Sequence, residues 1–171
     1  MDLARDPMNC GACGARPAET CNARDDNCDG RCDEGAGCRH GVHRSANGST
    51  GEHFYTTSAS EAMCCGFVVE SLNYFYLYNA TQPGTTTLYR CLSRASGTDH
   101  FCSTDASCEG QIVEGPMGFI GTSAVCGSTP LYRAWDPRTG THLFTTDAAE
   151  RATVVAAGWT DEGVVGHVWR D

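Results

Sequence analysis

A chain of 171 residues has room for one domain and a small appendage, and its net charge of -9 argues against a nucleic-acid or anionic-membrane partner, since both need a basic face. Twelve cysteines in so short a chain point to an oxidising compartment and a disulfide framework. No apolar run approaches the length of a membrane span, so no membrane insertion is expected. Met1-Asp2-Leu3 is no signal peptide, and the chain reads as a mature, secreted or surface-exposed fragment.

Residues 1–40 are rich in Cys, Asp and Gly and nearly free of large apolar side chains. Such a segment builds no hydrophobic core and needs covalent or metal staples. Cys10, Cys13, Cys21, Cys28, Cys32 and Cys38 form an even set that could close on itself, with fifteen possible pairings. Cys10-x-x-Cys13 also has zinc spacing. Asp25, Asn27 and Asp29 place side-chain oxygens at alternate positions before a turn at Gly30, with Asp33 and Glu34 following. This is the logic of a calcium loop, and calcium is the expected ion. At the twelfth position Ala36 stands where the bidentate Glu of an EF-hand would be, so Glu34 would have to serve. Glu19 to Gly35 resembles a short metal-binding motif of secreted myxobacterial proteins, and Asp6 to Gly14 is similar to another Cys-rich spacer of such proteins.

From residue 41 onward one unit is written three times, over about 41–84, 85–129 and 130–171. Val42-His43-Arg44 leads nine positions on to His53-Phe54-Tyr55-Thr56-Thr57, then Glu70. Leu88-Tyr89-Arg90 leads ten positions on to His100-Phe101-Cys102-Ser103-Thr104, then Glu114. Leu131-Tyr132-Arg133 leads nine positions on to His142-Leu143-Phe144-Thr145-Thr146, then Glu162. In the third copy, Asp136 to Gly140 reads as a turn between two strands, and Asp147 to Glu150 has capping-box spacing before an alanine-rich helix ended by Gly158. Trp159 to Trp169, broken by Gly163 and Gly166, reads as two further short strands. Ser58 to Glu61 repeats the capping box, whereas the second copy has Cys108 near that place and a truncated helix or disulfide loop is expected. Cys64 and Cys65 are expected to bond to two different partners rather than to each other.

No single copy buries its own apolar face, so three are expected to share one core. The predicted fold is mostly β: a pseudo-threefold three-repeat domain, β-trefoil-like or three-bladed, with one short helix per repeat and the disulfide-rich appendage in front. The repeat resembles one of unknown function in bacterial cell-surface proteins and cell-wall hydrolases, whose typical copy runs Leu-Tyr-Arg, a turn, Gly-x-His-Phe-Tyr-Thr-Thr and a Glu-Gly turn. The resemblance implies an accessory domain gripping a glycan or wall polymer, and assigns no reaction.

The recurring positions Arg44, Arg90 and Arg133, His53, His100 and His142, and Glu70, Glu114 and Glu162 are the candidate ligand-binding residues. Tyr89, Tyr132, Trp135 and Trp159 would offer a ring to the apolar face of a sugar. The competing reading of the same residues is structural, as buried Arg–Glu pairs and His-to-backbone bonds that hold each copy together. No Gly-x-Ser-x-Gly elbow, His-Glu-x-x-His helix or recognisable carboxylate pair is present, so no enzyme activity is expected. The expected function is non-catalytic carbohydrate binding; the alternative is a structural or protein-interaction spacer of a surface protein.

Overall fold

A computed structural model describes residues 18–34, 37–125 and 127–170. Asp6 to Gly14, the Cys10-x-x-Cys13 zinc spacing, Ala36 and Cys126 therefore lie outside the described residues. The first unit comprises β1 (Arg39–Asn47), β2 (Glu52–Thr56), α1 (Ala59–Ala62) and β3 (Val68–Tyr78). The second comprises β4 (Thr85–Leu92), β5 (His100–Ser103), a 3-10 turn (Cys108–Gly110) and β6 (Ile112–Gly121). The third comprises β7 (Thr129–Asp136), β8 (Thr141–Thr145), α2 (Ala148–Ala156) and β9 (Thr160–Val168).

The protein is mostly β, and all pairing is antiparallel. In every unit the first strand lies between the other two: β1 pairs β2 and β3, β4 pairs β5 and β6, β7 pairs β8 and β9. Units are joined by few backbone contacts: Tyr78 with Phe119, Gly121 with His167, and Tyr76 with Trp169. Side chains must therefore carry most of the association between units.

Two short strands were expected after the third helix, and the structure has one, β9. Gly163, at φ +87°, takes up a bulge in the β7–β9 ladder, so the strand bends without ending. Gly166 has a different reason to lack a side chain: a Cβ there would meet Ile120 Cγ1 and the Gly121 carbonyl at 2.9 Å, across the junction with β6. The predicted turn before β8 is present, with Gly140 N donating to the Asp136 carbonyl at 2.8 Å. Both predicted capping boxes start helices, through Ser58 and Asp147. In the second unit a Cys91–Cys108 disulfide and the 3-10 turn stand in place of an α-helix.

The core draws on all three units. Val42, Leu88 and Leu131, each two residues before the recurring arginine, are fully buried and cluster with Tyr55, Phe75, Ile120 and Phe144. Cys102 is buried in the same cluster as an unpaired thiol, pushed up to about 12 by that burial. A second cluster, Tyr78 and Trp169 with Cys38, lies against the N-terminal segment. That segment is tied on by the Cys21–Cys38 disulfide and by Asp33, which accepts from the Tyr78 hydroxyl. Cys64 and Cys65 bond to each other, contrary to the expectation of two separate partners. These three disulfides fit an oxidising environment. Among the described residues no helix is long and apolar enough to cross a membrane.

Candidate functional site

The recurring arginines occupy equivalent places in the ladders. Arg44 faces Tyr55 and Ser71 on its two neighbouring strands, Arg90 faces Cys102 and Gly115, and Arg133 faces Phe144 and Gly163. Each Nε donates to the recurring Glu of its own unit: Glu70 at 2.6 Å, Glu114 at 2.7 Å and Glu162 at 2.6 Å. The outer nitrogens reach a different unit. Arg44 grips Glu150 of the third unit at 2.9 and 2.7 Å, and Arg90 grips Glu61 of the first at 2.8 and 3.1 Å. Arg133 grips Glu109 of the second at 2.6 and 2.9 Å. Every unit thus supplies a carboxylate to the next, third to first, first to second and second to third.

Glu61 and Glu150 are the fourth residues of the two capping boxes, and Glu109 sits in the 3-10 turn beside the Cys91–Cys108 disulfide. The hydrogen bonds from the arginines hold all three below the ordinary carboxylate value. Burial opposes the charge on Arg44 and Arg133, but the bonds to Glu150 and Glu109 overcome it, and both are raised. Sequence reasoning assigned Glu61 and Glu150 to helix starts, gave Glu109 no role, and missed the part all three play between units. The available signal was a Glu five residues after the first Thr of each Thr-Thr pair, at Thr56–Glu61 and Thr145–Glu150.

The histidines form a related series along the same junctions. His100 Nδ1 lies 2.6 Å from Glu52 of the first unit, and its backbone N–H donates to the same carboxylate at 3.0 Å. His142 repeats this with Asp99 of the second unit, at 2.7 and 2.9 Å. On the other side, Nε2 lies 3.6 Å from Glu114 in His100 and 3.5 Å from Glu162 in His142. His53 departs from the pattern. Its Nε2 is 4.0 Å from Glu70, and its buried Nδ1 has no hydrogen-bond partner among the described residues. Thr141 immediately precedes His142, the place that Glu52 and Asp99 hold before the other histidines, so no acid is supplied there. Burial and the nearby Arg44 lower the pKa of His53; burial also opposes charge on His100, yet the bond to Glu52 raises it. Thr141→Asp is expected to give His53 its missing partner and lift its pKa above the ordinary value, as read by an NMR titration of the imidazole. An unchanged titration would show that Thr141 does not face His53.

Two clefts open at these junctions. The one between the third and first units has a volume of about 360 Å³, and its walls include Arg44, Glu70, Ser71, Thr146, Asp147 and Glu150. The one between the first and second units has about 170 Å³ and the corresponding residues Arg90, Glu114, Gly115, Thr57 and Glu61. Residues 32–119 and 110–169 each match a family model described as a domain of unknown function, DUF5648, and together they span most of the chain. The chain belongs to the DUF5648 family. No curated protein and no solved structure matches it.

The DUF5648 region therefore contains all nine recurring Arg, His and Glu positions. It does not bring the four predicted sugar platforms to the clefts: Tyr89, Tyr132, Trp135 and Trp159 line neither. Tyr89 packs against the core, and Arg151 covers the Tyr132 ring at 4.5 Å while pairing with Asp161. Trp135 and Trp159 are half-buried, and Trp135 pairs across the β7–β8 ladder with His142. The stacking partners at the junctions are others: Arg90 lies over Phe54, and Arg133 over Phe101.

Asp25, Asn27 and Asp29 precede the DUF5648 match, whereas Asp33 and Glu34 fall within it. The oxygens of Asp25, Asn27, Asp29 and Asp33 face backbone amides. Asp25 accepts from the N–H groups of Asp29 and Gly30, Asn27 from that of Asp29, and Asp29 from that of Arg31. Asp33 accepts from Asn22 and Ala23, and Glu34 from the Asn27 amide group. Among the described residues, no three of His, Cys, Asp or Glu converge as a metal-binding group. Carboxylates turned onto N–H donors account for the shape of the loop without an ion. Calcium at millimolar concentration is expected to leave the thermal midpoint unchanged; a rise of several degrees would reinstate it as a ligand.

Proposed function

We propose that this domain is a secreted, non-catalytic carbohydrate-binding module, made of three copies of one unit about a pseudo-threefold axis in a β-trefoil-like arrangement. Its ligand is a glycan or cell-wall polymer held at the junctions between units. The observation that carries the reading is the recurrence of one polar cleft at two junctions, with Arg, Glu and Thr at matching positions. The ion pairs in the cleft walls fix the remaining hydroxyl and carboxylate groups before a ligand arrives, which lowers the entropic cost of binding. Weak sites repeated on one domain gain from avidity on a polymer. A glycan array followed by isothermal titration tests the reading. Binding of at least one glycan at about millimolar affinity or tighter is expected; an empty array and flat titrations would end it.

A second reading, a structural or protein-interaction spacer, draws on the saturation of the arginines. Arg44, Arg90 and Arg133 each spend their donors on two carboxylates, which leaves them little to offer a ligand. Capture of one defined protein partner, uncompeted by any sugar, would favour it.

A further inference from the structure

The junctions are not equal. Between the first and second units, and between the second and third, the series of acid, histidine and glutamate is complete. Between the third and first, Thr141 supplies no acid, and His53 Nδ1 is buried without a partner among the described residues. A second orphan lies at the same junction. Thr146 lines the larger cleft with its residue 7% exposed, and its Oγ1 has no partner among the described residues, whereas the corresponding Thr57 of the smaller cleft is exposed. A buried hydroxyl without a partner costs stability, so its presence on a cleft wall points to a ligand group that completes it.

The chemistry of the wall restricts what that group is. Glu70, Asp147 and Glu150 face the cleft, against Arg44 and Arg170. The Arg44 nitrogens are engaged by Glu70 and Glu150. Glu70 Oε2 and Asp147 Oδ1 are used by Arg44 and by the Ala149 amide, which leaves Glu70 Oε1 and Asp147 Oδ2 as acceptors. Ser71 adds a hydroxyl that otherwise reaches only the Leu72 carbonyl, at 3.4 Å. Open acceptors and hydroxyls call for a ligand rich in O–H donors, and three carboxylates against two guanidinium groups leave the wall net negative, which disfavours a carboxylate. The volume of about 360 Å³ is within the range of small-ligand pockets, about 300–1,000 Å³, and the other cleft falls below it.

We propose that the cleft between the third and first units is the principal binding site and takes a neutral, hydroxyl-rich sugar residue rather than a uronic acid. The proposal rests on the carbohydrate-binding reading above and narrows it to one junction and one class of sugar. It is tested on the full chain by isothermal titration with cellohexaose, N-acetylchitohexaose and hexagalacturonate. Binding to a neutral hexamer is expected, weakened at least tenfold by Thr146→Val and by Asp147→Asn, with both variants folded by thermal melting. Thr146→Ser, which keeps the hydroxyl, is expected to bind as the parent does. Tightest binding to hexagalacturonate, or affinity lost on Thr57→Val but kept in Thr146→Val, would overturn the assignment and leave carbohydrate binding standing. No binding to any hexamer, together with an empty array, would remove both.

Discussion

Replacing Tyr55 with phenylalanine is expected to cost about 2–4 kcal/mol of stability, although it deletes a single oxygen atom and opens no apolar cavity. The Tyr55 hydroxyl donates to the Phe144 carbonyl at 2.6 Å and accepts from the Phe144 N–H at 2.9 Å. One side chain of the first unit thus replaces a rung of backbone pairing with the third, in the buried cluster. Without it, a buried donor and a buried acceptor lose their partners, at about 1–3 kcal/mol each. In a domain of this size that lowers the melting midpoint by about 5–15 °C. Cys102 and Phe144, at the equivalent positions, carry no such hydroxyl. A midpoint within a degree of the parent would show that the two backbone groups find other partners when the oxygen is gone.

Arg44→Met is expected to destabilise by about 2 kcal/mol. Removing one partner of a buried pair costs about 3–5 kcal/mol, but Glu70 and Glu150 keep 38% and 31% of their side-chain surface, and solvent screens what they lose. The effect depends on pH in a definite sense. Glu150 is held below its ordinary value of 4.5, first by the bond from Arg44, so its contribution is full above that pH and disappears as pH falls through the depressed value. The parent is expected to lose stability in acid and Arg44→Met to lose less, because the arginine that depresses Glu150 is gone. Parallel acid limbs in denaturation series of the two proteins would contradict this.

What the sequence made legible was local. The turn before β8, the two capping boxes and the disulfide-closed turn of the second unit all depend on residues close in the chain, and all are present. What stayed hidden was the contact between units. Glu61 and Glu150 look like helix-start residues, and Glu109 like part of a disulfide-closed loop, until a neighbouring unit brings an arginine 29, 106 or 24 residues away in the chain to them. Alternating Asp25, Asn27 and Asp29 oxygens spell the same pattern whether they face a cation or the loop's own amides, and only the backbone path decides. Gly163 as a bulge rather than a break, and Cys64 bonded to Cys65, were likewise decided by geometry beyond the spacing.

The recurring arginines act here as fastenings between units, through Glu150, Glu61 and Glu109, and the ligand site proposed above lies at the one junction where a histidine lacks its acid. Double-mutant cycles of Arg44 with Glu150, Arg90 with Glu61 and Arg133 with Glu109, followed by denaturant unfolding, put that division to the test. Coupling of about 1 kcal/mol or more, with the same sign at all three junctions, is the predicted result. Additive effects at all three would mean that these residues do not hold the units together, and would return them to the list of groups free to meet a ligand.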